Sequence, residues 1–155
     1  MNYDNYFINI NTLAIIKSNN NSTIILENEK IFYLNNKIEN ILNYNCNLYG
    51  SSYRGRIDSS KKILYTTKKL PIVLENRIPL IFFPTNSLEN DNCVFINYNN
   101  IKSIIKKNKS TIVKFKNDRL VNVGNSYFVI KNQYLKAVTL DKYVTNNNKT
   151  FDSYN

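Results

Sequence analysis

Residues 46–85 run CNLYGSSYRGRIDSSKKILYTTKKLPIVLENRIPLIFFPT and hold two of the chain's three glycines, all three prolines, and seven basic residues against two acids. Glycine adopts backbone conformations that other residues resist, and proline fixes φ and removes a donor, so their crowding marks places of special backbone geometry. Gly50 is well placed to cap a helix starting from Lys37, because Ile38, Ile41, Leu42 and Tyr49 precede it at helical spacing. Ser51 or Ser52 can then cap a second short helix, Tyr53 to Lys62, which Gly55 weakens. Beyond it, Leu70–Leu74 and Pro79–Phe83 read as extended segments whose prolines favour sheet edges or strand starts.

Working outward, the N-terminal third is strand-like. Phe7–Ile10, Leu13–Ile16, Thr23–Leu26 and Ile31–Leu34 are short β-branched or aromatic runs, separated by polar clusters at 19–22 and 35–36. Downstream, a polar loop at 86–92 precedes four more strands: Cys93–Ile96, Ile101–Ile105, Thr111–Phe115 and Leu120–Val123. Asn117-Asp118 sits between the last two like a hairpin turn. Ser126 can cap a final helix, with Tyr127, Ile130, Tyr134 and Val138 as its apolar stripe. The expectation is a single α+β domain, residues 1–145, dominated by antiparallel β-strands with two or three helices, one of them amphipathic and C-terminal. Residues 146–155 form a polar tail expected to be disordered.

A chain of 155 residues is long enough for a real core. Asparagine makes up roughly a fifth of it, an excess read here as compositional drift rather than as a prion-like tract, because it is interspersed with apolar residues at strand-like spacing. The net charge of +10 is uneven: residues 1–50 balance at −1 (three basic, four acidic), residues 51–155 at +11 (eighteen basic, seven acidic). Two segments carry most of it, 54–69 with six basic residues and one acid, and 102–119 with seven and one. Such a one-sided field attracts polyanions, although a solvated lysine-rich surface has the same composition.

Catalysis finds little support. The absence of histidine removes the commonest general base and metal ligand. Asp58, Asp118 and Asp141 have no pairing spacing, and Gly50-Ser51-Ser52-Tyr53 lacks the arrangement of a nucleophile turn. Cys46 and Cys93 show neither metal-site nor disulfide spacing and suit a reducing interior. Cys46 reads as a buried residue on the inner helix face rather than a thiol nucleophile. No catalytic residue, metal, cofactor, small-molecule substrate or membrane partner is expected, and the N-terminus lacks a secretory signal, so the expected location is cytoplasmic.

Taken in order, Cys46, Tyr49, the GSSY of Gly50–Tyr53, Gly55-Arg56, Lys69 with Pro71-Ile72, Phe82-Phe83-Pro84-Thr85 and Cys93-Val94-Phe95-Ile96 resemble the competence transcription factor (ComK) family. The resemblance covers roughly residues 30 to 143. It implies a ComK-like DNA-binding domain: a transcriptional activator of competence genes, for DNA uptake and recombination, that recognises A/T-rich double-stranded boxes through the minor groove as a homo-oligomer. Longer family members extend past the terminal helix, and the adaptor-protease control linked to that extension is not carried over. The strand-turn-strand-strand-helix ending is also loosely similar in pattern to LytTR DNA-binding domains.

Within that reading the expected DNA-contacting residues are Arg54, Arg56, Lys61, Lys62, Lys68 and Lys69. Arginine suits narrow minor grooves and phosphate, and family members carry a basic residue at the position of Arg56. The other possibility for Arg56 is a structural pair with Asp58 or Glu39. The four lysines are expected at phosphates. Tyr49, Tyr53 and Tyr65 are either base-stacking aromatics or packing residues. The alternative function is an interaction module without DNA binding, or a degenerate paralogue that titrates a partner.

Overall fold

The computed structural model describes residues 5–153. Strands β1 (Thr12–Asn19), β2 (Ser22–Glu27) and β3 (Ile31–Leu34) form a meander, because the turns at 20–21 and 28–30 are too short for any but antiparallel connections. Two helices follow, α1 (Ile38–Leu48) and α2 (Tyr53–Leu64), before the chain returns as β4 (Ile72–Glu75), β5 (Leu80–Pro84) and β6 (Val94–Asn97). β6 pairs with β1, joining both triplets in one antiparallel sheet of order β3-β2-β1-β6-β5-β4. After a single 3-10 turn at Tyr98–Asn100, β7 (Ile101–Lys107), β8 (Ser110–Phe115) and β9 (Leu120–Val123) make a separate three-stranded sheet. Helix α3 (Tyr127–Ser153) closes the chain.

The large sheet is apolar on both faces. Ala14, Ile81, Phe83 and Ile96 pack against Val113 and Phe115 of the small sheet and Ile130, Ala137 and Leu140 of α3. Ile15, Phe82 and Phe95 pack on the other side against Ile38, Ile41, Leu42 and Cys46 of α1. Covering both faces explains why the central strands read as unbroken apolar runs instead of alternating patterns. β5 and β6 are buried at every position. The domain is α+β, as its residue patterning implies.

Three local expectations are corrected. Phe7–Ile10 is not a strand: buried Asn45 of α1 accepts from Ile8 N and donates to Tyr6 O and Ile41 O, each at 2.8 Å, so the helix claims this backbone. The buried stripe of α3 is Ile130, Gln133, Ala137, Leu140 and Val144; Tyr127, Tyr134 and Val138 only flank it. Finally, the tail placed at 146–155 is helical as far as Ser153, and Asn148 Nδ2 donates to Asn76 O at 2.6 Å; Tyr154 and Asn155 lie outside the described residues.

Asparagine also has more structure than drift implies. The side chains of Asn9, Asn19, Asn90, Asn97 and Asn117 each accept from the backbone N–H two residues on. This is the side-chain turn that asparagine forms in place of a backbone turn.

Candidate nucleic-acid interface

The first basic segment is mounted on the corner between α1 and α2. Tyr49 N and Ser51 N both donate to Cys46 O, at 3.0 and 3.2 Å, and Gly50 takes φ +82° to let the chain reverse. Ser52 then caps α2, its Oγ accepting from Gly55 N at 2.9 Å. Gly55 has no positive φ; what it supplies is room, since a Cβ there would stand 2.7 Å from Ser51 Oγ. The glycine therefore serves the cap, and Arg54 and Arg56 lie inside the first helical turn rather than in a loop.

Helical spacing sends those two arginines to different faces. Arg54 is exposed, on the side that also carries Asp58, Lys61 and Lys62. Arg56 is half-buried and turned toward the body of the protein, with its Nη2 donating to Tyr49 O at 3.3 Å. Its Nε is buried without a partner, and the side chain lines a cleft of about 300 Å³ with Ser60, Ile63, Val73 and Tyr143. Neither Asp58 nor Glu39 pairs with it among the described residues. Arg56 thus links α2 back to the end of α1.

Lys61 and Lys62 occupy the last turn of α2, where cations complement the helix dipole. Tyr65 ends the helix in the left-handed region (φ 54°, ψ 33°), its N–H satisfied by Lys61 O at 3.0 Å and its side chain 93% exposed. Lys68 is exposed; Lys69 is half-buried and also left-handed, at φ 47°. Two side chains one turn apart on α3 hold this loop by consecutive carbonyls. Gln133 Nε2 donates to Lys69 O at 2.7 Å, and Lys136 Nζ donates to Lys68 O at 3.0 Å. Burial, then the charge of Lys69, holds the Lys136 ammonium below the usual lysine value. The groove between this loop and α3 is about 610 Å³, lined by Leu64, Leu135, Lys69 and Lys136 with no carboxylate.

The structure brings Arg54, Lys61, Lys62 and Lys68 onto the exposed side of one helix and its trailing loop, with no acid anywhere from 59 to 74. The second basic segment is more committed internally. Lys102 and Lys114 share Asp118, at 3.3 and 3.6 Å, and hold its carboxyl below the usual range. Arg119 Nη1 donates to Glu27 O at 2.6 Å and to Lys30 O at 3.2 Å, tying the small sheet to the β2–β3 turn. Lys106 lies 6.0 Å from the ring of Phe128, while Lys107, Lys109 and Lys116 are exposed.

Of the remaining candidates, Tyr53, Cys46 and Cys93 pack in the core and Tyr49 does not. Tyr53 meets Phe95 edge-on at 6.4 Å inside the core. Tyr49 is 44% exposed and leaves the buried face of α1. Cys46 and Cys93 are free and buried, and burial pushes both thiols up to about 11, so neither is a thiolate at neutral pH. Among the described residues, no three His, Cys, Asp or Glu side chains cluster as metal ligands, and no helix is long and apolar enough to cross a membrane. Sequence reading missed Gln133 and Lys136. The signal for Gln133 was its spacing of three from Ile130 within the apolar stripe.

Comparison with known proteins converges on one family. The model described as ComK protein matches residues 3–149. The competence transcription factor of Bacillus subtilis (strain 168) is 27% identical over 141 residues, an alignment covering 88% of this chain and 73% of that protein. No solved structure matches.

Proposed function

The chain belongs to the ComK protein family, and from that premise we propose that it is a competence transcription factor that binds A/T-rich duplex DNA. The observation that carries this reading is the acid-free run from 59 to 74, in which Lys61 and Lys62 are exposed on α2 and Lys68 is exposed on the loop that follows it. Such a surface provides donors to phosphates without a buried reacting centre. Arg54 is the side chain free to enter a groove, whereas the Arg56 guanidinium would first have to leave Tyr49. Unlike a major-groove recognition helix, α2 carries its basic side chains only towards its first and last turns, and α3 is largely occupied by packing. The minor groove needs no such helix, since its A·T versus G·C pattern and its width are read by basic side chains on loops and helix ends. The reading includes activation of DNA-uptake and recombination genes and assembly of several copies along paired boxes.

The test is a binding titration against an A/T-box duplex and a G/C-rich duplex of equal length at several salt concentrations. Tighter binding to the A/T duplex at every salt supports the proposal. Equal affinities leave non-specific polyanion binding, and no binding leaves an interaction module built on the family's fold.

A further inference from the structure

We propose that Tyr65 is a wedge that inserts between base pairs of the bound duplex, an inference that rests on the DNA-binding reading above. Its backbone is the first argument. Among the described residues, four that are not glycine have positive φ: Tyr65, Lys69, Asn108 and Asp118. Asn and Asp tolerate this region because their short polar side chains bond locally, whereas an aromatic residue is strained in it. About a fifth of the chain is asparagine, yet tyrosine stands at this helix end. Strained residues of this kind cluster at ligand clamps and functional sites.

The second argument is the side chain. Tyr65 is 93% exposed, more than any other large hydrophobic residue described, and it makes no side-chain hydrogen bond and no ring contact among the described residues. It borders the groove against α3 but, at that exposure, gains little by packing on the protein.

Position is the third. Lys61 and Lys62 lie on the helical turn before Tyr65, and Lys68 and Lys69 close the loop after it. Cations on both sides of an aromatic fit a nucleic-acid backbone on both sides of an opened base step. The loop is also rigidly seated, by Gln133 and Lys136 on two consecutive carbonyls, so the ring is presented on a fixed support. Wedging costs unstacking, which is lowest at flexible pyrimidine–purine steps such as TA. The wedge therefore adds to the preference for A/T-rich sequence.

Tyr65→Asn is the informative variant, because asparagine suits φ 54° and the fold should be retained or firmer. The probe is an A/T-box duplex carrying 2-aminopurine, whose fluorescence rises on unstacking. Wild type should brighten it, Tyr65→Phe should brighten it equally, and Tyr65→Asn should not. Tyr65→Asn should also weaken A/T-duplex binding by about tenfold, the scale of one lost stack, with an unchanged salt slope because no charge is removed. Normal affinity and brightening by Tyr65→Asn overturns the wedge while leaving DNA binding intact. Tighter Tyr65-dependent binding to single strands than to duplex overturns it in favour of single-strand stacking. Failure of the wild type to bind any duplex removes the DNA reading itself, and the wedge with it.

Discussion

Gln133 donates its side-chain amide to Lys69 O at 2.7 Å, and the same nitrogen serves Pro84 O at 2.8 Å. One buried group on α3 therefore joins the end of a core strand to the left-handed residue that closes the basic loop. Replacing it with leucine leaves two carbonyls without their donor. Gln133→Leu should lower stability by about 1–3 kcal/mol, the cost of buried acceptors left unpaired, seen as a lower urea midpoint. Amide exchange at 65–70 should accelerate more than in α1. Uniform acceleration throughout the molecule would show that Gln133 supports the whole core and not this loop.

The two glycines of the α1–α2 corner should respond differently to alanine. Gly50 has φ +82°, so Gly50→Ala should cost about 1 kcal/mol through backbone strain even with open space around it. Gly55 lies in a helix, where alanine is favoured by about 1 kcal/mol, but its Cβ would meet Ser51 Oγ at 2.7 Å. Gly55→Ala should be near neutral in the native background and stabilising in Ser51→Ala. Thermal melts of the four variants decide it. A large loss from Gly55→Ala in both backgrounds would point to a steric limit other than the serine.

Burial of Cys46 and Cys93 has a pH consequence. Both thiols are raised to about 11, so the folded state holds its protons longer than the unfolded state. Their contribution to stability is full below the ordinary thiol value and is lost as pH rises through about 11. The urea midpoint should be flat near neutrality and fall above about pH 9. Tyr6, Tyr53 and Tyr98, raised mainly by burial, extend the fall to higher pH. Cys46→Ala with Cys93→Ala should shrink the decline between pH 9 and 11 and retain DNA binding. An unaltered decline would assign it to the tyrosines alone.

Arg119 belongs to the basic segment 102–119 by composition but to the fold by geometry. Its Nη1 contacts Glu27 O and Lys30 O, across the gap between the two sheets. Arg119→Ala should cost about 1–3 kcal/mol of stability and leave the salt dependence of duplex binding unchanged. A salt slope reduced by about one would instead place Arg119 at a phosphate.

What could be read from sequence follows the range of the interactions involved. Short apolar runs rich in β-branched and aromatic residues marked all nine strands of the described residues, because pairing and burial act on the same residues over a few positions. Phe7–Ile10 has the same local pattern but its Ile8 N–H goes to Asn45, thirty-seven positions away, and no local rule sees that. Gly50 and Ser52 were legible because caps are local. The helix from Tyr53 was legible too, but the inward turn of Arg56 was hidden, because its partner is a backbone carbonyl, Tyr49 O, on the preceding helix end. Gln133 and Lys136 act across more than sixty residues, and the extent of α3 past 145 depends on contacts such as Asn148 with Asn76.

The last prediction separates the cations of the proposed interface by what each contributes. Lys61, Lys62 and Lys68 are exposed, and in the proposed reading they meet phosphate, which every duplex offers alike. Replacing one with alanine should weaken binding to A/T and G/C duplexes equally and lower the slope of log affinity against log salt by about one. Arg54 is exposed on the same side of α2 and is the arginine free to enter a narrow groove. Arg54→Ala should therefore reduce the A/T preference by about 1–3 kcal/mol, the scale of one specific contact. Arg56, assigned to the groove on sequence, is bonded to Tyr49 O across the helix corner. Arg56→Ala should lower the urea midpoint, while the A/T-to-G/C affinity ratio measured on the folded fraction stays at the wild-type value. If Arg56→Ala is as stable as wild type and abolishes the A/T preference, its side chain leaves Tyr49 on binding, and the groove reader is Arg56 after all.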